Sequence, residues 1–191
     1  MMGNTKRTRY GVAVLIASIA LMTPIRAQEP APRGPSEGIK VHGDWVIEVH
    51  NPDGALVSRQ AFRNALLIGN GGDWALVQAL GRKAQLGGWT VLLRATASPS
   101  LTCLVGDGKC RLREGTDFSV SAQKTVPAAL VLSGQATLLT AGSLGWVGTG
   151  LTFISADGQE DEVGFSGHAL ATSIPTTAGQ IIQFTVTFTF S

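Results

Sequence analysis

Apolar and polar residues alternate one by one along several short stretches of this chain, and this period of two constrains its fold most. In the first such stretch the apolar residues share one parity: Ile39, Val41, Trp45, Ile47 and Val49. Successive side chains of a strand point to opposite faces, so this pattern predicts a strand with one buried face. The turn residues 51–54 and a second run, 55–64, complete a predicted hairpin.

The same kind of pattern recurs along the rest of the chain, separated by turn signals. Further strands are predicted over 89–96, 118–123, 128–139, 144–155, 163–173 and 180–190. One short helix is predicted from Asp73, as its N-cap, to Gly81, and we expect it to plug one end of the β structure or to cover a sheet edge. Short strands at this spacing are typical of an all-β protein, and we predict an antiparallel β-sandwich, jelly-roll or Ig-like, of about eight strands.

The N-terminus predicts export. Lys6, Arg7 and Arg9 precede an uncharged apolar run of about twelve residues, 11–22, which is the pattern of a secretory signal peptide. We predict cleavage after Ala27, with an uncleaved membrane anchor as the alternative. The chain is thus divided into a signal peptide (1–27), a flexible Pro/Gly-rich leader (28–38) and a β-sandwich domain (39–191). The expected location is periplasmic, at the cell surface or extracellular.

Cleavage reverses the sign of the net charge. The full chain has 15 basic and 13 acidic residues, a formal charge of +2, and the signal peptide carries four of the basic residues and no acidic one. The remaining eleven basic and thirteen acidic residues give −2. A protein of this charge has no electrostatic reason to bind phosphate backbones, so nucleic acid is excluded as an expected partner.

The two cysteines, Cys103 and Cys110, lie close together in the sequence. In an oxidising compartment such a pair predicts a disulfide that closes a loop around Gly106–Gly108. The alternative is a metal or redox pair, but six intervening residues are not the C-x-x-C spacing, and no second Cys or His pair accompanies them.

Candidate catalytic and metal-binding residues are few. Ser166 and His168 lie two apart in a predicted strand and could serve a hydrolase, but no acidic residue is placed to orient the histidine. As metal ligands the histidines would have to converge in the tertiary structure, and His42, His50 and His168 are expected instead to be surface polar residues. A run of four carboxylates could bind Ca²⁺, although a solvated hairpin tip is the competing interpretation: Asp157, Glu160, Asp161 and Glu162. No catalytic site and no cofactor are predicted.

Two further patterns could bind a ligand. The glycine-rich stretch 69–72 before the helix resembles a phosphate-binding loop in composition only. The four tryptophans could form a sugar-stacking platform if two or more were exposed and coplanar. Trp45 and Trp89 fall on the same side of their predicted strands as aliphatic residues, so both are expected in the core. Trp146 is therefore the candidate ligand contact.

The last strand alternates strictly, with Phe184, Phe188 and Phe190 on one face and threonines on the other. If it lies on a sheet edge, it could pair with another subunit and drive assembly. This strand also resembles the closing strand of bacterial outer-membrane barrels, which would imply a membrane protein. The terminal aromatic residue is displaced by Ser191, however, and strands that are apolar on both parities favour a packed core.

Three stretches carry a broader resemblance: WVIEVHNPDG, RNALLIGNGG before the helix, and AGQIIQFTVTFTFS at the C-terminus. In these the chain resembles a loose group of exported and prophage-associated all-β proteins of bacteria, some related to tail-fibre or surface-appendage components. The resemblance implies a β-rich fold and supplies no functional residue. The signal peptide departs from the phage case, because tail parts assemble in the cytoplasm.

These observations favour an exported, non-enzymatic β-sandwich that acts in binding or assembly at the cell surface or outside the cell. The expected partners are a second copy of the chain, a surface protein or a glycan. The alternatives are a small outer-membrane β-barrel and a secreted hydrolase.

Overall fold

A computed structural model describes residues 40–67, 69, 71–81, 85–104, 109–154 and 158–190. These residues form nine strands and one helix: β1 Val41–His50, β2 Leu56–Ala65, α1 Gly72–Leu80, β3 Gln85–Ala95, β4 Arg111–Arg113, β5 Phe118–Gln123, β6 Ala128–Thr137, β7 Gly142–Ile154, β8 Glu160–Thr176 and β9 Ile181–Phe190. The predicted all-β fold with one short helix is confirmed. The three-residue strand β4 was not predicted from the sequence.

The strands form two antiparallel sheets. The five-stranded sheet has the order β2-β1-β9-β6-β5, and the four-stranded sheet has the order β4-β3-β7-β8. Within the described residues the two sheets do not close into a barrel, so the architecture is that of a sandwich. No helix in this part of the chain is both long enough and apolar enough to cross a membrane.

The core lies between the two sheets and is built by the predicted alternation. Every second residue of β1 is buried, and so are four alternating residues of β9: Ile182, Phe184, Val186 and Phe188. Trp89 packs edge-on against Phe165 and is stacked on Phe188, with ring centroids 4.8 and 5.4 Å away. Trp45 is 1% exposed. The expectation that Trp45 and Trp89 belong to the core is therefore confirmed.

The C-terminal strand β9 is a central strand. It pairs with β1 on one side and with β6 on the other along its whole length. Phe184 and Phe188 are buried in the core, and Phe190 is half-buried. The condition under which this strand could pair with another subunit, a position on a sheet edge, is therefore not met. The alternation of apolar and polar residues shows which face of a strand is buried. It does not show which strands are hydrogen-bonded to it on either side.

Helix α1 covers part of β8, the edge strand of the four-stranded sheet, and its buried residues are Gly72 and Ala75. Gly81 follows its last turn, as predicted. The N-cap is Gly71, however, with no side-chain hydrogen bond, so the prediction of Asp73 as the N-cap is wrong. At Gly72 an added Cβ would meet the carbonyl oxygen of Phe165, so only glycine lets the helix begin this close to β8.

The predicted disulfide joins Cys103 and Cys110, whose Cα atoms are 4.8 Å apart. Both residues are buried, and the carbonyl oxygen of Cys110 accepts a hydrogen bond from the amide of Leu93 in β3. In this bond neither sulfur is free to bind a metal ion. The loop that it closes, 105–108, lies outside the described residues. The disulfide therefore ties the segment before β4 to the core.

Candidate functional site

The outer face of the four-stranded sheet combines charged, hydroxyl and aromatic side chains with several glycines, and we call it the glycine face. Strand register assigns its residues. On β3 and β4 they are Thr90, Leu92, Arg94, Arg111 and Arg113; on β7 they are Trp146, Gly148, Gly150, Thr152 and Ile154; on β8 they are Glu160, Glu162, Gly164 and Gly167. Glycines in the middle of two neighbouring strands leave a low floor on which long side chains can lie.

Trp146, the ligand contact predicted from the sequence, lies on this face. Its indole ring covers Gly148 and Gly167, because an added Cβ at either glycine would collide with the ring. The guanidinium carbon of Arg94 lies 4.8 Å from the ring centroid, which is a cation–π distance. The indole is half-buried, and the Arg94 side chain that lies over it is exposed.

A polar clasp crosses the same face beside Trp146, formed by Arg111, Glu162 and Thr90. Arg111 forms an ion pair with Glu162, whose other carboxylate oxygen accepts a hydrogen bond of 2.9 Å from the Thr90 hydroxyl. The clasp passes over Gly150, where an added Cβ would lie 2.6 Å from a carboxylate oxygen of Glu162. Arg111 Nε is buried and has no hydrogen-bond acceptor among the described residues.

Next to the clasp the glycine face opens into a cleft of about 380 Å³. Part of its lining comes from Gly87 and Gly88, where the register between β3 and β7 shifts. The β4 side contributes the arginines and Glu114, and the β8 side contributes residues 160–162. Arg113 and Glu160 are exposed on opposite sides, and neither forms an ion pair within the described part of the chain.

The carboxylates proposed from the sequence as a calcium site take different roles. Asp157 lies outside the described residues. Glu162 is held by Arg111 and Thr90, whereas Glu160 and Asp161 are exposed. Among the residues that the structure describes, no group of three or more His, Cys, Asp or Glu side chains is arranged to hold a metal ion.

Ser166 and His168 do not form a nucleophile–base pair. Ser166 is 1% exposed, and its hydroxyl forms a hydrogen bond of 2.8 Å with the Thr149 hydroxyl. The His168 ring is stacked on Phe62, with centroids 4.4 Å apart. His50 contacts the Gly54 carbonyl oxygen at the distant β1–β2 turn. The arrangement required of a serine hydrolase is absent from the described residues.

The structure also shows what the tryptophans and the glycine-rich stretch 69–72 contact. Trp74 is 39% exposed on α1, whereas Trp146 lies on the glycine face, so these two rings do not form one stacking platform. The amide of Gly69 donates a hydrogen bond of 3.1 Å to the carboxylate of Asp73. This hydrogen bond, followed by the one from the Trp74 amide, lowers the pKa of Asp73. A carboxylate of the chain itself occupies the donor that a bound phosphate would need.

The residues of the cleft that the sequence did not predict belong to β4 and to the β3 bulge. The alternation Arg111-Leu112-Arg113, polar-apolar-polar, is the only local signal for β4, and three residues are too few for the period of two to stand out. No family model, curated protein or solved structure matches the chain. The fold and the cleft therefore define the class: an all-β sandwich with a charged cleft on the outer face of its smaller sheet.

Proposed function

We propose that this chain is an exported, non-enzymatic binding protein that holds its ligand in the cleft of the glycine face. One observation carries the proposal: Arg113 and Glu160 stand exposed on opposite sides of a cleft partly lined by Gly87 and Gly88. The signal peptide predicted over 1–27 supports export. The mature protein would act in the periplasm, at the cell surface or outside the cell, on a surface protein, a glycan or a second copy of itself.

The size and the preorganisation of the cleft support this proposal. Its volume of about 380 Å³ lies at the lower end of the range for small-ligand sites, roughly 300–1,000 Å³. The clasp holds Arg111 and Glu162 in place beside it, so part of the site is organised before a ligand binds. A preorganised wall reduces the entropy that is lost when a ligand becomes ordered.

The proposal is tested with the processed protein, purified after export and labelled with a fluorophore, by measuring its binding to cell envelopes of the producing organism. Arg113→Gln and Glu160→Gln remove one charge from each side of the cleft. Each is expected to weaken binding at least about tenfold, because a central charged contact contributes about 1.4 kcal/mol or more.

The matched control is Arg59→Gln, which removes an exposed arginine of β2 that pairs with Glu48 on the five-stranded sheet. Its envelope binding should equal that of the unmodified protein. Circular dichroism should show the same fold for all variants. If the cleft variants and the control bind envelopes equally well, the cleft is not the binding site and the proposal fails.

A further inference from the structure

We propose that the cleft takes a small zwitterionic ligand of amino-acid or short-peptide chemistry, with its carboxylate toward Arg113 and its ammonium group toward Glu160. This inference rests on the proposed function, because it names the ligand class of the same cleft. It follows from the relative positions of two arginines on β4 and two glutamates on β8.

The Arg111–Glu162 and Arg113–Glu160 combinations are offset from each other by two residues along their strands. Arg111 is paired in register with Leu92, and Arg113 with Thr90, so the two arginines lie two residues apart on the same face. Glu162 is paired in register with Thr152 of β7, and Glu160 with Ile154. The two glutamates are therefore also two residues apart, displaced in the same direction along the sheet as the two arginines. The Arg113–Glu160 combination is thus the neighbour of the Arg111–Glu162 combination.

Only one of the two combinations is joined. Arg111 and Glu162 meet over Gly150, whereas Arg113 and Glu160 form no ion pair within the described ranges and face the cleft instead. Strands β4 and β8 are three inter-strand spacings apart, about 14 Å, and Glu160 lies four β7 positions further along the sheet than Arg113 (the row of Ile154 against that of Gly150), roughly 13 Å. Two long side chains take up much of this span. A short molecule with a charge at each end fits between them.

The charges of the cleft disfavour ligands of a single sign. A polyanion would meet four carboxylates, Glu114, Glu160, Asp161 and Glu162, and a polycation would meet Arg111 and Arg113. A guanidinium binds a carboxylate through two parallel hydrogen bonds, and an ammonium group offers three donors to carboxylate oxygens. Only a ligand with both groups satisfies both sides of the cleft. Arg111 Nε, buried beside the cleft, has no acceptor within the part of the chain that the structure describes.

The test titrates the processed, isotope-labelled protein with four dipeptide probes and follows the amide signals of Gly87, Gly88 and Thr152 by NMR. L-alanyl-L-alanine carries both charges, its N-acetyl form only the carboxylate, its amide only the ammonium group, and the doubly blocked form neither. We expect saturable shifts with the zwitterion and binding at least about tenfold weaker for each blocked probe, which corresponds to about 1.4 kcal/mol per lost contact.

Two variants identify which side of the cleft binds which charge. Arg113→Gln should make the zwitterion bind no better than the ammonium-only probe, and Glu160→Gln should make it bind no better than the carboxylate-only probe. Arg59→Gln is the control and should preserve the order of the four probes. A reversed assignment of the two charges would overturn the stated orientation.

Equal binding of the four probes, or no binding of any, overturns the zwitterion proposal. Its failure is distinguishable from failure of the proposed function. If the probes do not discriminate but envelope binding still depends on Arg113 and Glu160, the cleft binds a ligand of another class. If envelope binding is also independent of both residues, the proposed function fails as well.

Discussion

At the residue scale, the glycines of the glycine face leave space for the long side chains that lie across it. Gly150 leaves room for the clasp, and Gly148 and Gly167 leave room for the indole ring of Trp146. At Gly167 the three nearest atoms to an added Cβ all belong to the Trp146 ring, the closest at 2.6 Å. The space above this glycine is therefore occupied by one side chain.

The relation between Gly167 and Trp146 can be measured. Gly167→Ala should destabilise the protein by about 1–3 kcal/mol, because the added methyl group displaces the ring. In a Trp146→Ala background the same change should cost less than about 0.5 kcal/mol, since the colliding atoms are gone. Urea unfolding of the four proteins measures both values. An equal cost in the two backgrounds would show that the ring does not lie over Gly167.

Ser166 offers a second prediction at this scale. Ser166→Ala leaves the Thr149 hydroxyl buried without its partner and should cost about 1–3 kcal/mol. Replacing both residues, with Thr149→Val, should recover part of this loss because no unpaired hydroxyl remains. Denaturant unfolding gives the stabilities. Full stability of the single variant would argue against the buried Ser166–Thr149 hydrogen bond.

At the element scale, hydrogen bonds from backbone amides to one side chain, Asp73, organise the start of α1. Asp73 does not cap the helix. Instead its carboxylate accepts hydrogen bonds from the amides of Gly69 and Trp74, so it joins the preceding loop to the first helical turn. The composition of the loop was visible in the sequence. Which donor binds which acceptor depends on the fold of the loop.

The lowered pKa of Asp73 gives this link a pH dependence. A carboxylate whose pKa is depressed by folding stabilises the native state above its ordinary pKa of 3.8, and this contribution is lost as the pH falls through its folded value. The stability difference between the unmodified protein and Asp73→Asn should therefore be constant near neutral pH and shrink below about pH 4. Unfolding curves across pH 2–7 measure it. A difference that does not change with pH would contradict the link.

At the scale of the whole molecule, the disulfide connects the fold to the compartment predicted from the signal peptide. It closes a loop with a sequence separation of 7, and such a loop is worth about 2–3 kcal/mol in the chain-entropy model. Disulfides form and persist in oxidising compartments outside the cytoplasm. We therefore expect the mature, exported form to be more stable than a form retained in the cytoplasm.

This expectation has a direct readout. Mass spectrometry of the exported protein should show a chain that begins at Gln28, with Cys103 and Cys110 resistant to alkylation until they are reduced. Deleting the apolar run 11–22 should retain the protein in the cytoplasm with both thiols free. An exported protein that keeps residues 1–27 would instead support the uncleaved anchor.

The sequence by itself determined the strand content, the alternating faces of β1 and β9, the first hairpin, the place where the helix ends and the Cys103–Cys110 pair. These are local properties, since alternation and turn residues act over fewer than about ten positions. Strand order is not local. The positions of β9 between β1 and β6, of Ser166 inside the sandwich, and of β4 and β8 on opposite sides of one cleft follow from pairing between distant segments. Such pairing depends on how all the buried faces pack together, so only the tertiary structure brought Arg113 and Glu160 to the same cleft.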